Sequence, residues 1–241
     1  MTRTSWSRCS KLVVAALLVA AFAVPATAVT VGETTVPEEG QVGEQVSATV
    51  SLDELYRNPT LERWELSGRT ALQDVTWVVE FYDQTGARTS QEEFTGQSFS
   101  GATVAAADGT SEVTVRVTGT VPGIDEFSYD PPQSYELVTL TRAQQGGASA
   151  EIDSWTSHHY TPTSDGARES LDAAAAAIER ADAAGANTNT ARESFESAVD
   201  AYESGNFDNA RRLADRATTE ADSARRSART RRRLLLAGPG L

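Results

Sequence analysis

The sequence predicts an α+β chain of more than one domain, an antiparallel β-sandwich followed by an alanine-rich three-helix segment. Three observations predict it. Between Val29 and Pro162 the apolar residues recur with a period of two, whereas from Ser164 to Arg233 they recur every three or four positions. Turn-forming pairs punctuate the first of these stretches. The charge divides at the same place, because residues 29 to 163 hold 21 acids and 6 arginines, a net −15, while residues 164 to 241 hold 13 acids and 12 arginines, a net −1. Two different surfaces follow, and with them two domains, 29–163 and 164–233.

The first 28 residues belong to neither. Arg3, Arg8 and Lys11 make a basic start, Leu12 to Ala23 is an apolar run, and Ala26-Thr27-Ala28 after Pro25 fits small-x-small cleavage. This is the pattern of a secretory signal peptide, with the mature chain starting at Val29. The run is short for ~30 Å of hydrocarbon; an uncleaved anchor is the alternative. Cys9 precedes the apolar run and leaves with the leader, so disulfides and thiolate metal sites are excluded from the mature chain. With Arg3, Arg8 and Lys11 removed, 18 basic side chains, all arginine, face 34 acidic ones, a charge of −16. An exported, acidic chain without lysine or cysteine resembles the exported proteins of halophilic archaea, in which high salt screens self-repulsion. A GC-rich genome would account for the missing lysine but not for the carboxylates.

Each strand is legible as an alternation. Val46, Ala48, Val50 and Leu52 alternate with polar residues, as do Val75, Trp77, Val79 and Phe81, then Val113, Val115 and Val117. From Tyr135 to Leu140 both faces are largely apolar, which marks a central strand. Gly40, Asp83-Gln84-Thr85-Gly86, Asp108-Gly109, Pro122-Gly123, Pro131-Pro132 and Gly146-Gly147 supply the turns. About seven strands with no helical pattern between them argue for an immunoglobulin-like sandwich, with a core built on Trp77, Phe81, the valines and Trp64. Leu52 to Gly68 breaks the pattern. Its Asp53-Glu54-Leu55-Tyr56 and Leu61-Glu62-Arg63-Trp64 runs suit a short helix or a long loop.

Gly146 to Ser164 links the halves, with Ile152, Trp155 and Tyr160 on a last strand and Pro162-Thr163-Ser164 ending it with a helix cap. The first helix is expected from about Asp165 to Ala184, stopped by Gly185. Thr190 and Glu193 form a capping box for the second, which ends at Gly205. The third starts near Phe207 and continues into the arginines. The apolar stripe comprises Ala167, Leu171, Ala174, Ile178 and Ala181, then Ala191, Phe195, Ala198 and Tyr202, then Ala210, Ala214, Ala217, Ala221, Ala224 and Ala228. One narrow stripe per helix is the pattern of a bundle seam.

Tyr202, Gly205, Phe207 and Ala210 follow the order Tyr-x-x-Gly-x-aromatic-x-x-Ala, so residues 198–217 resemble the helix-turn-helix centre of a tetratricopeptide repeat. The motif occurs once, and a solenoid needs several stacked copies, so the resemblance implies a helical hairpin and not a peptide-binding array. The whole layout resembles uncharacterised surface proteins of halophilic archaea. That resemblance implies a location and assigns no residue an activity.

Candidate sites are few. His158 and His159 are adjacent on a strand, so they point to opposite faces and do not share a metal; a strand-end surface pair is the expectation. No Gly-x-Ser-x-Gly elbow and no glycine-rich phosphate loop is present. Asp125, Glu126 and Asp130 offer oxygens to calcium without a recognised loop spacing, and solvated acidic surface is the competing assignment. Asn58 is followed by proline, which removes the one glycosylation sequon. No catalytic, cofactor-binding or metal-binding residue is therefore assigned.

Arg225, Arg226, Arg229, Arg231, Arg232 and Arg233 form one basic cluster at a helix C-terminus, where cations meet the negative end of the dipole. The tail Leu234 to Leu241 is too short to span a bilayer and resembles the start of an anchor. Weak membrane association through the cluster and tail is the expected partner interaction. Nucleic acid is a poor partner for an exported chain of charge −16. The leading expectation is a non-enzymatic cell-envelope protein, secreted or at the surface, with an interaction or adhesion sandwich and a helical spacer. The alternative is a secreted carbohydrate- or metal-binding protein, which aromatic rings exposed on one sheet or loop rim would favour.

Overall fold

The computed structural model describes residues 29–57, 61–144 and 147–236. The leader, Asn58 and the end of the apolar tail lie outside the described residues. Ten strands and three helices are present among the described residues. The first sheet has the order β1-β3-β8-β5-β6, made of β1 (Thr30–Thr35), β3 (Gln45–Asp53), β8 (Glu112–Thr120), β5 (Gln73–Tyr82) and β6 (Arg88–Thr95). The second has the order β2-β10-β9-β4-β7, made of β2 (Glu39–Gln41), β10 (Ser149–Tyr160), β9 (Ser134–Ala143), β4 (Arg63–Arg69) and β7 (Ser98–Ala105). All neighbours are antiparallel except β2 and β10.

Both sheets contribute to one core. The alternating face of β5, namely Val75, Trp77, Val79 and Phe81, meets Val113, Val115 and Val117 of β8 and Leu137, Val138 and Leu140 of β9 in a single buried cluster. As the apolar pattern from Tyr135 to Leu140 indicated, β9 buries residues on both faces. Fully burying each such Leu, Val or Phe is worth about 1.5–3 kcal/mol. Trp77 keeps its indole N–H satisfied by donating to the Gly96 carbonyl at 2.9 Å. Its ring meets Phe99 edge-on at 5.0 Å, and Phe99 stacks on Phe94 at 4.9 Å. Phe99 lies so close to β4 that a Cβ added at Gly68 would overlap its ring.

The segment from Leu52 to Gly68 corrects the expectation of a helix or long loop. Arg63–Arg69 is the strand β4, with Trp64, Leu66 and Gly68 facing the core side and no helix before it among the described residues. Trp64 donates its indole N–H to the Leu55 carbonyl at 3.0 Å, which ties the preceding turn to the sheet. The strand count also exceeds the expected seven, because β1 and β6 are edge strands with mostly exposed polar residues and show little apolar alternation. Their charges, including Glu33, Arg88 and Glu93, are the means by which edges discourage pairing with other chains.

The helices are α1 (Pro162–Ala183), α2 (Asn189–Glu203) and α3 (Phe207–Leu236). Thr161 alone separates β10 from α1. It caps α1 reciprocally: its hydroxyl accepts from Ser164 N at 3.1 Å, and Ser164 Oγ accepts from Thr161 N at 2.9 Å. The expected box of Thr190 and Glu193 does not form, since both lie within α2. Thr188 occupies the N-cap without a capping bond and instead donates to Asp182 Oδ1 at 2.6 Å. Gly185 and Gly205 end the first two helices in the left-handed region, at φ 71° and 73°. In both turns the next residue's N–H bonds back to the helix, Ala186 to Ala181 O and Asn206 to Ala201 O, so each is a Schellman motif.

The alanine stripe packs as its spacing requires. Ala167, Ala174, Ala198, Ala210, Ala214 and Ala217 are all buried in one cluster. A second layer joins Ala177, Ile178 and Ala181 of α1 to Ala191 of α2 and Ala221 of α3. Ala224 and Ala228 continue the stripe on α3 but are only half-buried. No helix among the described residues is long and apolar enough to cross a membrane.

Candidate functional site

The loop of residues 121–133 between β8 and β9 reaches out of the sheet pair and docks on the helices. Its prolines lack an N–H and keep it from joining either neighbouring ladder. Internal bonds shape it: Ser128 Oγ donates to the Pro131 carbonyl at 2.7 Å, and Ser128 N donates to Gln133 Oε1 at 3.2 Å. That shape presents Phe127 and Tyr129, the two large rings that pack against the first helical cluster.

Tyr202, at the end of α2, is the hub of the joint. Phe127 meets Tyr202 edge-on at 6.1 Å and Phe207 at 4.7 Å, and Tyr202 meets Phe207 at 5.5 Å across the α2–α3 turn. Tyr129 completes the group, 6.4 Å from Tyr202 and 5.8 Å from Phe195. Edge-on pairs of this kind add ~0.5–1.5 kcal/mol each beyond the area they bury. In a bundle seamed with alanine, these rings supply the contact area that the small side chains lack.

Polar groups fix the orientation. Arg168 of α1 donates through Nη2 to the carbonyls of Ser128 and Tyr129, at 2.7 and 2.9 Å. Its guanidinium also lies over the Tyr129 and Tyr202 rings. The Tyr129 hydroxyl donates to Asp172 Oδ1 at 2.7 Å. Burial first, and this carboxylate second, push the Tyr129 phenol well above its ordinary pKa, so it remains a donor at any physiological pH. Gln133 bridges the two halves, its Nε2 donating to the His159 carbonyl at 3.0 Å and the Tyr202 hydroxyl at 3.3 Å.

The histidines sit at the foot of this loop. They face opposite sides of β10 as the strand period requires, and His158 is exposed. His159 corrects the expectation of a surface pair: it is 7% exposed, packed 5.2 Å from the Tyr135 ring, with Nδ1 3.3 Å from the Pro122 carbonyl. Burial lowers its pKa, against the opposing effects of the Pro122 carbonyl and Asp125. Both histidines therefore touch loop backbone, since His158 Nδ1 lies 3.3 Å from the Gln133 carbonyl.

The acidic loop does not assemble as a cation site. Asp125 and Glu126 share a groove of about 520 Å3 with Glu203, and Asp130 does not line it. Among the described residues no three metal-ligating side chains converge. Of the arginine cluster, Arg225 pairs with Asp222 at 3.1 Å, and Arg229, Arg231, Arg232 and Arg233 are exposed, remote in sequence from the joint. None of the joint residues Phe127, Tyr129, Arg168 or Asp172 stood out in the sequence. The available signal was two aromatic residues inside a Pro- and Gly-bounded polar loop.

No family model matches the chain, and no curated protein matches it. Among solved structures it is similar to the sporulation control protein Spo0M from Bacillus subtilis, at 16% identity and a TM-score of 0.31, over 60% of this chain and 55% of that one. The chain thus spans about half the length of that protein. It is also similar to AvmM, which catalyses macrocyclization in alchivemycin A biosynthesis, at 10% identity and a TM-score of 0.28, over 55% of this chain and 89% of that one. A cohesin module from a Clostridium perfringens family 33 glycoside hydrolase matches at 14% identity and a TM-score of 0.26, over 55% of this chain and 98% of that one.

Proposed function

We propose that this chain is a non-enzymatic protein of the cell envelope, in which an immunoglobulin-like β-sandwich is the interaction or adhesion module and the helices are a spacer beside the membrane. The observation that carries this reading is the placement of its aromatic residues. Trp64, Trp77, Phe81, Phe99 and Tyr135 are buried in the sheet pair, Phe127, Tyr129 and Tyr202 are spent on the joint, and the other described rings of the sheet pair, Tyr56, Tyr82, Phe94, Trp155 and Tyr160, are half-buried. Carbohydrate recognition commonly stacks sugars on exposed rings, so the burial of most of the large rings favours the interaction module over the alternative of a secreted carbohydrate-binding protein.

The joint supports the spacer role. A helical unit bonded to the sheet pair by Arg168, Tyr129 and Gln133 holds a fixed direction, which a flexible tether would not. Expression followed by cell fractionation tests the reading. The chain is expected in the envelope or medium, beginning at Val29 and open to protease on intact cells. Retention in the cytoplasm with residues 1–28 attached overturns it.

A further inference from the structure

The layer of Ala177, Ala181, Ala191 and Ala221 is the last in which all three helices meet. Helix α1 ends two residues later at Ala183 and α2 begins only at Asn189, yet α3 continues to Leu236. At 1.5 Å per residue the part beyond Ala221 is about 22 Å long. Its charge is of one sign. Asp222 is the last acid in the chain and is engaged by Arg225, after which Arg226, Arg229, Arg231, Arg232 and Arg233 have no acidic partner among the described residues. These side chains repel one another along the helix, at i,i+4 between Arg225, Arg229 and Arg233 and at i,i+3 between Arg226, Arg229 and Arg232. Leu234, a large hydrophobic side chain, is 67% exposed and directly follows three arginines.

We propose that this projecting end of α3 docks on the surface of an anionic lipid bilayer, with the guanidinium groups on headgroup phosphates and Leu234 in the interfacial layer. Guanidinium matches phosphate oxygens bidentately, and the anionic surface relieves the repulsion along the helix. The acidic sheet pair does not cancel the attraction, because about 22 Å of helix exceeds the ~8 Å screening length at physiological ionic strength. A second α3 is excluded as occupant by like charge. The acidic sheet pair of a second copy offers carboxylates but no apolar layer for Leu234. This inference rests on the cell-envelope reading, which gives the chain access to a membrane face.

Flotation of the purified chain from Val29 to Leu241 with lipid vesicles tests it, the leader being left out because its apolar run would bind lipid by itself. At 0.15 M salt the chain should float with vesicles rich in phosphatidylglycerol and not with pure phosphatidylcholine. Each arginine near an anionic surface contributes about fivefold, so Arg231→Gln, Arg232→Gln and Arg233→Gln together should weaken partitioning about 100-fold. Leu234→Ser should weaken it less, and 2 M salt should release the chain. Equal flotation with both vesicles, flotation with neither, unchanged flotation of the triple variant, or equally tight binding of soluble polyphosphate overturns the proposal. Self-association that the triple variant abolishes, without flotation, assigns the surface to a second copy instead. Purified lipid needs no cellular location, so failure here leaves the envelope reading to be judged by fractionation.

Discussion

Arg168 donates to the carbonyl of Tyr129 at 2.9 Å while its guanidinium lies 5.0 Å from the centre of that residue's ring, so one side chain holds both the backbone and the side chain of its partner. The first residue is on a helix and the second on a sheet loop. Charge-assisted hydrogen bonds and a partly desolvated cation over a ring together put the cost of Arg168→Ala at about 2–3 kcal/mol. Chemical denaturation of the full chain reads this. Arg168→Lys should recover little, since a point-like ammonium does not reproduce the planar fork over the rings. A loss below ~0.5 kcal/mol, typical of an ordinary surface substitution, would mean that the joint is not held by this residue.

Gly68→Ala tests the close approach inside the sheet pair. The added methyl group would overlap Phe99, which is itself fixed between Trp77 and Phe94. Overpacking of this kind costs about 1–3 kcal/mol. Calorimetry should show a melting temperature lower by several degrees. Gly123→Ala is the control, because nothing lies near its added Cβ.

His159 makes stability depend on pH in a defined direction. Its folded-state pKa is lowered from 6.5 by burial, although the Pro122 carbonyl and Asp125 act against that and His158 acts with it. The unfolded chain therefore takes up the proton first as pH falls through 6.5, and stability declines below that value. Denaturation at pH 7.5 and pH 5.5 should show a loss at the lower pH that is smaller in His159→Phe. Glu80, with its pKa lowered by Arg88, makes stability depend on pH only below its unfolded value of 4.5, because its stabilisation is fully present above that pH and disappears as the carboxylate is protonated.

The charge of −15 on residues 29–163 predicts a salt response. Screening contracts to ~3 Å at molar salt, so the melting temperature of this segment should rise between 0.1 M and 2 M potassium chloride. Expressed alone it should still unfold cooperatively with β-type circular dichroism, since its core cluster draws on no helix residue. A molten product would place the domain boundary elsewhere, and a flat or falling melting temperature would remove the argument from acidity.

What could be read from the chain was whatever a local period encodes. Trp77 and Phe81 lie in a strand buried on alternate residues, and their placement followed from period two. Helices α1 and α2 ended where Gly185 and Gly205 indicated, because a left-handed residue is a local requirement. β4 was missed for the opposite reason: Leu61 and Trp64 stand three apart, which imitates a helical turn, while the true alternation of Trp64, Leu66 and Gly68 ends on a residue without a side chain. The cap of α1 was misplaced by a few residues because Thr161, Thr163 and Ser164 all offer a hydroxyl. The joint had no local code. Arg168 and Tyr129 are 39 positions apart, and the meaning of Phe127 and Tyr129 depends on finding a bare alanine seam opposite them.

The single residue between β10 and α1 has a mechanical consequence. Thr161 leaves no slack, and the loop of residues 121–133 grips the same helical unit at a second point through Arg168 and Tyr202. Two separated attachments remove the freedom to swivel that one attachment would leave. A sideways push on the far end of α3 is thus transmitted as torque into β10 and, through its ladder with β9, into the centre of the second sheet.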